Sequence, residues 1–103
     1  MEYDVIVSES AEQDIDEILT YMTEKLANPK AAADWADELQ ARYDELSSYP
    51  LIYGQATSES LKRMGYRRFV IKNYVAFYRV DDARGEVVIL RVFYGRRDYE
   101  KYL

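Results

Sequence analysis

Three runs of β-forming residues follow one another in the second half of the chain, with only short turns between them. Residues 67–71, 74–80 and 87–94 are rich in Val, Ile, Phe and Tyr, and Lys72-Asn73 and a loop ending at Gly85 separate them. Turns this short can close hairpins, but they cannot hold the crossover that parallel neighbours need. The sequence therefore predicts an antiparallel three-stranded meander on which the rest of the chain must pack.

One short alternating segment and two helical patterns precede the meander. Residues 3–7 alternate, which predicts a first strand that we expect to join the later sheet. Apolar residues then recur at spacings of three and four over residues 11–27, and Ser10 and Gln13 form a capping box at the start. Asn28-Pro29 suits the start of a second helix over residues 30–47. Because the outer faces of both patterns carry Asp and Glu, we predict an acidic helical hairpin.

The predicted fold class is therefore α+β, with an N-terminal strand, an acidic helical hairpin, an antiparallel three-stranded meander and a short C-terminal tail. At 103 residues we expect one domain spanning residues 1–103. Residues 51–60 are expected to be irregular, Gly95 to end the last strand, and Asp98 to cap a terminal helical turn. The residues expected in the core are Ile15, Ile18, Met22, Trp35, Leu39, Phe69, Phe77, Ile89 and Val92.

The composition excludes several kinds of chemistry. The chain has no Cys and no His, so disulfides, thiolate nucleophiles and the usual metal sites are excluded, and we expect no metal and no cofactor. Any catalysis must use Arg, Lys, Tyr, Asp or Glu. No run approaches the ~20 apolar residues that span a bilayer, and the N-terminus does not resemble a secretory signal. We therefore expect a cytoplasmic protein without a membrane partner.

The two halves of the chain carry opposite charge. Residues 1–60 contain 3 basic against 14 acidic residues, a net charge of −11, whereas residues 61–103 contain 11 against 5, a net charge of +6. The overall charge of −5 hides this separation. A basic sheet beside acidic helices suits an anionic partner on one face and makes association depend on orientation.

Arginines occur on all three predicted meander strands and in the tail. Residues two apart share a strand face, so we expect Arg91 beside Ile89 and Phe93, and Arg79 beside Phe77. A single strand arginine most often pairs with a nearby acidic side chain, but several together could form one concave anion-binding surface. The candidate target-binding residues are Arg67, Arg68, Lys72, Arg79, Arg91, Tyr94, Arg96, Arg97 and Lys101. The tyrosines around residues 95–98 could stack on bases, transfer a proton or simply pack the tail on the sheet.

The order of elements, together with the segments AEQDIDEILTYM, YRRFVIKNYVAFYRV and VVILRVFYGRRDY, resembles the RelE/ParE superfamily of toxins from type II toxin–antitoxin (plasmid stabilisation) modules. The similar region runs from residue 5 to about residue 102, and its most specific part is the last strand leading into Gly-Arg-Arg-Asp. The resemblance implies a cognate antitoxin that wraps the toxin through an extended, partly helical segment. It also implies one of two targets, namely mRNA on the ribosome in the RelE branch or DNA gyrase in the ParE branch.

The two branches imply different roles for the same residues. A RelE-like ribosome-dependent endoribonuclease would place its catalysis on Arg67, Arg97, Tyr99 and Tyr102. Two further positions that are basic in that branch fall at Phe69 and Val75 in this chain, which weakens the case for a phosphate-binding site. These departures, the long helical hairpin and the apolar Asn-Tyr-Val-Ala-Phe-Tyr strand favour a ParE-like gyrase poison without catalysis of its own. RelE-like cleavage is the alternative, and an inactive toxin-fold binding module is a third possibility.

Overall fold

The computed structural model describes residues 2–95 and residue 103. The elements are β1 (Asp4–Val7), α1 (Glu9–Thr20), α2 (Pro29–Ser48), α3 (Glu59–Arg63), β2 (Arg67–Ile71), β3 (Tyr74–Asp81) and β4 (Glu86–Tyr94), and a π-helical turn over Tyr21–Lys25 continues α1. The α+β class predicted from the sequence is confirmed. The predicted terminal turn capped by Asp98 lies outside the described residues. Within the described ranges, no helix is both long enough and apolar enough to cross a bilayer.

The four strands form one sheet in the order β1-β4-β3-β2. Strands β2, β3 and β4 are antiparallel, as the short turns require, and β1 pairs parallel to β4 from Asp4 opposite Glu86 to Val7 opposite Ile89. Because β1 ends at Val7, no strand among the described residues pairs with the second half of β4 on that side. Helix α1 lies along this free edge.

A β-bulge divides β4 into two halves. The register against β3 steps from Phe77 opposite Arg91 to Tyr78 opposite Ile89, so Leu90 is one residue more than β3 can pair. A bulge of this kind shifts the alternation of the strand by one residue. The expectation that Arg91 lies beside Ile89 is therefore wrong, because it assumed an unbroken alternation.

Most residues that face the helices form the main core. Trp35, Leu39 and Leu46 of α2 pack against Phe69 and Ile89 of the sheet, together with other buried residues of α1 and β3. Of the nine residues that we expected in the core, eight are buried, and Ile15 is half-buried at the margin of the same cluster.

A second apolar cluster lies on the other side of the sheet, which we call the outer face. It contains Val75, Phe77 and Phe93, covered by Leu61 of α3 and by Ala56. We had expected residues 51–60 to be irregular, but α3 starts at Glu59. A helix of five residues is too short to show an apolar period in the sequence, and it forms here because Leu61 packs on the sheet.

The N-terminal cap of α2 was predicted correctly from the sequence, whereas that of α1 was not. Asn28 accepts a hydrogen bond from the Ala31 amide (3.0 Å) and Pro29 is the first residue of α2, as predicted. The capping box from Ser10 to Gln13 is wrong, since α1 begins at Glu9. The cap is Ser8, which accepts from the Ala11 amide (3.1 Å) and donates to the Leu90 carbonyl oxygen (2.9 Å). The second bond ties the start of α1 to the bulge.

Candidate functional site

The outer face carries arginines from all three meander strands. Arg68 and Arg91 lie on either side of Phe77 in one row across the sheet, and Arg79 is two residues further along the same face of β3. Arg79 and Asp81 form a loose ion pair of 3.9 Å, with side chains that are 43% and 24% exposed. Of the residues expected to form one anion-binding surface, Arg68, Arg79 and Arg91 therefore share the outer face.

Arg67 points to the opposite side of the sheet from Arg68. Its guanidinium donates to the Tyr53 carbonyl oxygen at 2.7 Å, which holds the connection after α2 against β2. The Tyr53 hydroxyl in turn accepts from Arg42 and donates to Glu45, both at 3.1 Å. Arg67 therefore makes a structural contact with the connection after α2. This contact is present whether the protein acts like RelE or like ParE.

Arg91 pairs with the acidic helix. Its Nε–H and Nη2–H groups donate to the two carboxylate oxygens of Asp14 at 2.7 and 3.0 Å, and its guanidinium lies 4.8 Å from the centre of the Phe93 ring. Asp14 also accepts from the Val92 amide at 2.9 Å. Asp14 of α1 therefore covers the part of the β4 edge that β1 leaves open. The pairing of Arg91 with Asp14 also agrees with the expectation that a single arginine on a strand pairs with a nearby acidic side chain.

A cavity of about 470 Å³ lies between α1 and the second half of β4. Ile18 and Val92 are among its apolar lining residues, and Tyr21, Tyr74 and Tyr94 contribute three phenol rings. Tyr21 and Tyr94 are 49% and 58% exposed, whereas Tyr74 is buried. Sequence reasoning selected Tyr94 but missed the other two. The signals available were the excess of tyrosine and the position of Tyr74 opposite Tyr94 across the hairpin.

The remaining candidates lie elsewhere. Lys72 is exposed in the turn between β2 and β3, where its φ of 58° is in the left-handed region. The other candidate residues are outside the described part of the chain, and they are Arg96, Arg97, Tyr99, Lys101 and Tyr102.

The order of strand, helical hairpin and meander is the one on which the resemblance to toxins of the RelE/ParE superfamily was based. The family described as ParE toxin of type II toxin–antitoxin system, parDE, matches residues 5–99, and the chain belongs to this family. The resemblance to the RelE/ParE superfamily is thereby confirmed. No curated protein sequence is significantly similar to the chain.

Several solved structures share the fold. The chromosomal ParDE toxin–antitoxin system of P. aeruginosa matches with a TM-score of 0.71 and 20% identity over 92% of this chain and 98% of that one. The toxin–antitoxin complex RelBE2 of Mycobacterium tuberculosis matches with a TM-score of 0.64 and 24% identity, covering 91% and 99% of the two chains. A free double arginine-to-alanine variant of the E. coli toxin RelE gives a TM-score of 0.67 and 15% identity, covering 99% and 92%. At these identities the similarities establish the fold alone.

Proposed function

We propose that this toxin inhibits growth when it is not bound by an antitoxin, and that it does so by poisoning DNA gyrase. The observation that carries the proposal is the match of the ParE toxin family to residues 5–99. On this reading the arginines of the outer face are contact residues, and the protein has no catalysis of its own.

The packing of the outer face also supports binding over phosphate chemistry. The position at which the ribonuclease branch implies an arginine is occupied by Val75, which is buried with Phe77 and Phe93 beneath Leu61. A phosphate at this place would have to displace an apolar cluster instead of meeting a cation. Electrostatic stabilisation of a cleavage transition state needs donors already aimed at the developing charge, and a closed apolar cluster supplies none.

Two assays on one preparation test the target. Purified toxin should trap gyrase on cleaved DNA and leave ribosome-bound mRNA intact. Arg68→Ala and Arg79→Ala should each weaken trapping gradually, because binding energy is shared among several contacts. Lys30→Ala is the control, since Lys30 is an exposed cation at the start of α2 that pairs with Asp34. Thermal melting of each variant checks that it is folded.

The alternatives give different results in the same assays. Codon-spaced cuts in ribosome-bound mRNA that Arg97→Ala reduces by two or more orders of magnitude would establish the RelE-like ribonuclease and refute the gyrase proposal. Activity in neither assay, from protein that binds its antitoxin, would establish the inactive binding module.

We further infer that a cognate antitoxin binds the toxin over the sheet or over the groove beside the helical hairpin. The solved ParDE and RelBE2 structures, which are toxin–antitoxin systems, support this inference. We expect a short reading frame beside this gene to encode the antitoxin, and co-expression of the two proteins should give a stable complex. Because the two halves of the toxin differ so strongly in charge, salt should slow association more than it speeds dissociation. An association rate that does not change with salt would contradict the electrostatic part.

A further inference from the structure

Three tyrosines line the cavity between α1 and β4. The rings of Tyr74 and Tyr94 are 5.2 Å apart and tilted by 58°. The pKa of Tyr74 is raised, first by burial and then by its proximity to the hydroxyls of Tyr94 and Tyr21. Tyr21 comes from the helical segment, Tyr74 from β3 and Tyr94 from β4, and all three line the same cavity.

The two exposed tyrosines contribute little to the core. Tyr74 packs edge-on against Trp35 with ring centres 5.4 Å apart, so its place in the core is explained. Tyr21 and Tyr94 instead leave about half of their surface in water. Tyr21 also begins the π-helical turn, whose Leu26 amide bonds back to the Tyr21 carbonyl oxygen at 3.1 Å. Such turns are rare and occur frequently at functional sites.

The charge around the cavity favours a cation. Glu17 lies on its rim and is exposed. Asp16, Glu24 and Lys25 line the adjoining depression that Tyr21 shares with the cavity, so acidic residues outnumber basic ones there. The positive charge of Arg91 is compensated by the bidentate contact with Asp14. Aromatic faces attract cations, and carboxylates repel phosphates, so this surface is unsuited to a nucleic-acid backbone.

We propose that the cavity between Tyr21, Tyr74 and Tyr94 receives an arginine or lysine side chain of the antitoxin, with Glu17 as its counter-charge. This inference rests on the proposed antitoxin partnership, and it adds which charge of the antitoxin faces each side of the toxin. The helical side of the toxin takes a basic group of the partner, while the basic outer face suits acidic ones. One extended partner segment would then need both signs of charge in a fixed order.

The first experiment measures how tightly the neighbouring gene product binds to variants of the full-length toxin. Tyr21→Leu and Tyr94→Leu keep apolar bulk but remove the aromatic face, and each should weaken binding about 3- to 30-fold. Tyr21→Phe should bind like the unaltered toxin, since it keeps the ring. Glu17→Gln should weaken binding, and more so at low salt. Tyr49→Leu, at another exposed tyrosine, is the matched control.

The second experiment uses the toxin alone and small probes. Propylguanidinium should shift the amide NMR signals of residues around the cavity, while propylurea, a neutral molecule of nearly the same shape, should not. Tyr21→Leu should reduce the shifts. Equal shifts with both probes, or none with either, would overturn the proposal.

The two experiments separate failure of this inference from failure of the proposed function. If the neighbouring protein binds tightly and Tyr21→Leu, Tyr94→Leu and Glu17→Gln bind equally well, the cavity is not the site and the antitoxin partnership stands. If the neighbouring protein does not bind at all, the partnership is wrong, and the probe experiment still decides whether the cavity selects cations. Thermal melting of each variant excludes unfolding as the cause of any loss.

Discussion

Replacing Asp14 tests whether a side chain of α1 holds the free edge of the sheet. Asp14 accepts two hydrogen bonds from Arg91 and one from the Val92 amide, and the Asp14 and Arg91 side chains are only 11% and 25% exposed. Asp14→Ala removes all three bonds at once. It also leaves the Val92 amide without its partner at the point where β1 no longer covers β4.

The size of the effect follows from these contacts. The Asp14–Arg91 pair contributes about 0.5–1 kcal/mol, because Arg91 is exposed enough to regain water when the carboxylate is lost. The bond from the Val92 amide to the charged carboxylate contributes about 1.5–2 kcal/mol. We expect Asp14→Ala to lower the free energy of unfolding by about 2–3 kcal/mol. Asp14→Asn keeps an acceptor for the amide and loses the charge, so about 1 kcal/mol is expected.

Urea unfolding followed by circular dichroism measures both variants. For a chain of this size, a loss of 2–3 kcal/mol corresponds to a fall in Tm of roughly 10–20 °C. Asp34→Ala is the control, since it removes only an exposed helix pair with Lys30 and should leave the midpoint unchanged. In the Asp14→Ala background, Arg91→Leu should cost less than in the unaltered protein, because their contact is already lost. A cost below about 0.5 kcal/mol for Asp14→Ala would refute the role of this edge contact.

Three further predictions concern the core and the tyrosines. Leu46→Ala, at a fully buried position of α2, should lower the free energy of unfolding by about 2–5 kcal/mol in the same urea titration. A smaller loss would mean that neighbouring side chains fill the space left by the leucine. Tyr43→Phe should be neutral or stabilising, because the buried Tyr43 hydroxyl has no hydrogen-bond partner among the described residues, and a clear loss of stability would contradict this. Burial raises the pKa of Tyr43 and Tyr78 to about 12. The unfolded chain loses these protons first, near pH ~10, so stability should be level below that pH and fall as the pH rises toward ~12. Tyr43→Phe should make this fall shallower, and urea midpoints unchanged across this range would contradict the effect of burial.

The elements with strong local patterns could be predicted from the sequence. Strand β2 has the predicted bounds, and the start of α2 follows from Asn28 and Pro29. In both cases the signal is contained in a few neighbouring residues. The layer order follows as well, since two amphipathic helices and a meander can bury their apolar sides only against each other.

What the sequence did not show depends on contacts between distant segments. Leu90 is bulged although no glycine or proline marks the position, and the bond from Ser8 stabilises it from 82 residues away. The cavity is another such case, because the π-helical turn after α1 supplies Tyr21 and the β3–β4 hairpin supplies Tyr74 and Tyr94. Alternation predicts which residues share a strand face only while the pairing is unbroken, and so it misplaced Arg91 relative to Ile89.

The extra residue at Leu90 gives this strand two independent halves. Val87 and Ile89 of the first half face the main core, while in the half after the bulge Val92 faces this core and Arg91 and Phe93 lie on the outer face. Deletion of Leu90 would therefore straighten the strand without exchanging its faces, because Ile89 would still lie opposite Tyr78 and Arg91 opposite Phe77. Pairing Leu90 within the ladder, with no deletion, would instead turn Arg91 and Phe93 toward the core and Val92 away from it. A relative that is one residue shorter at this point is therefore expected to present the same outer face, and sequence alignments should place a single-residue gap at position 90.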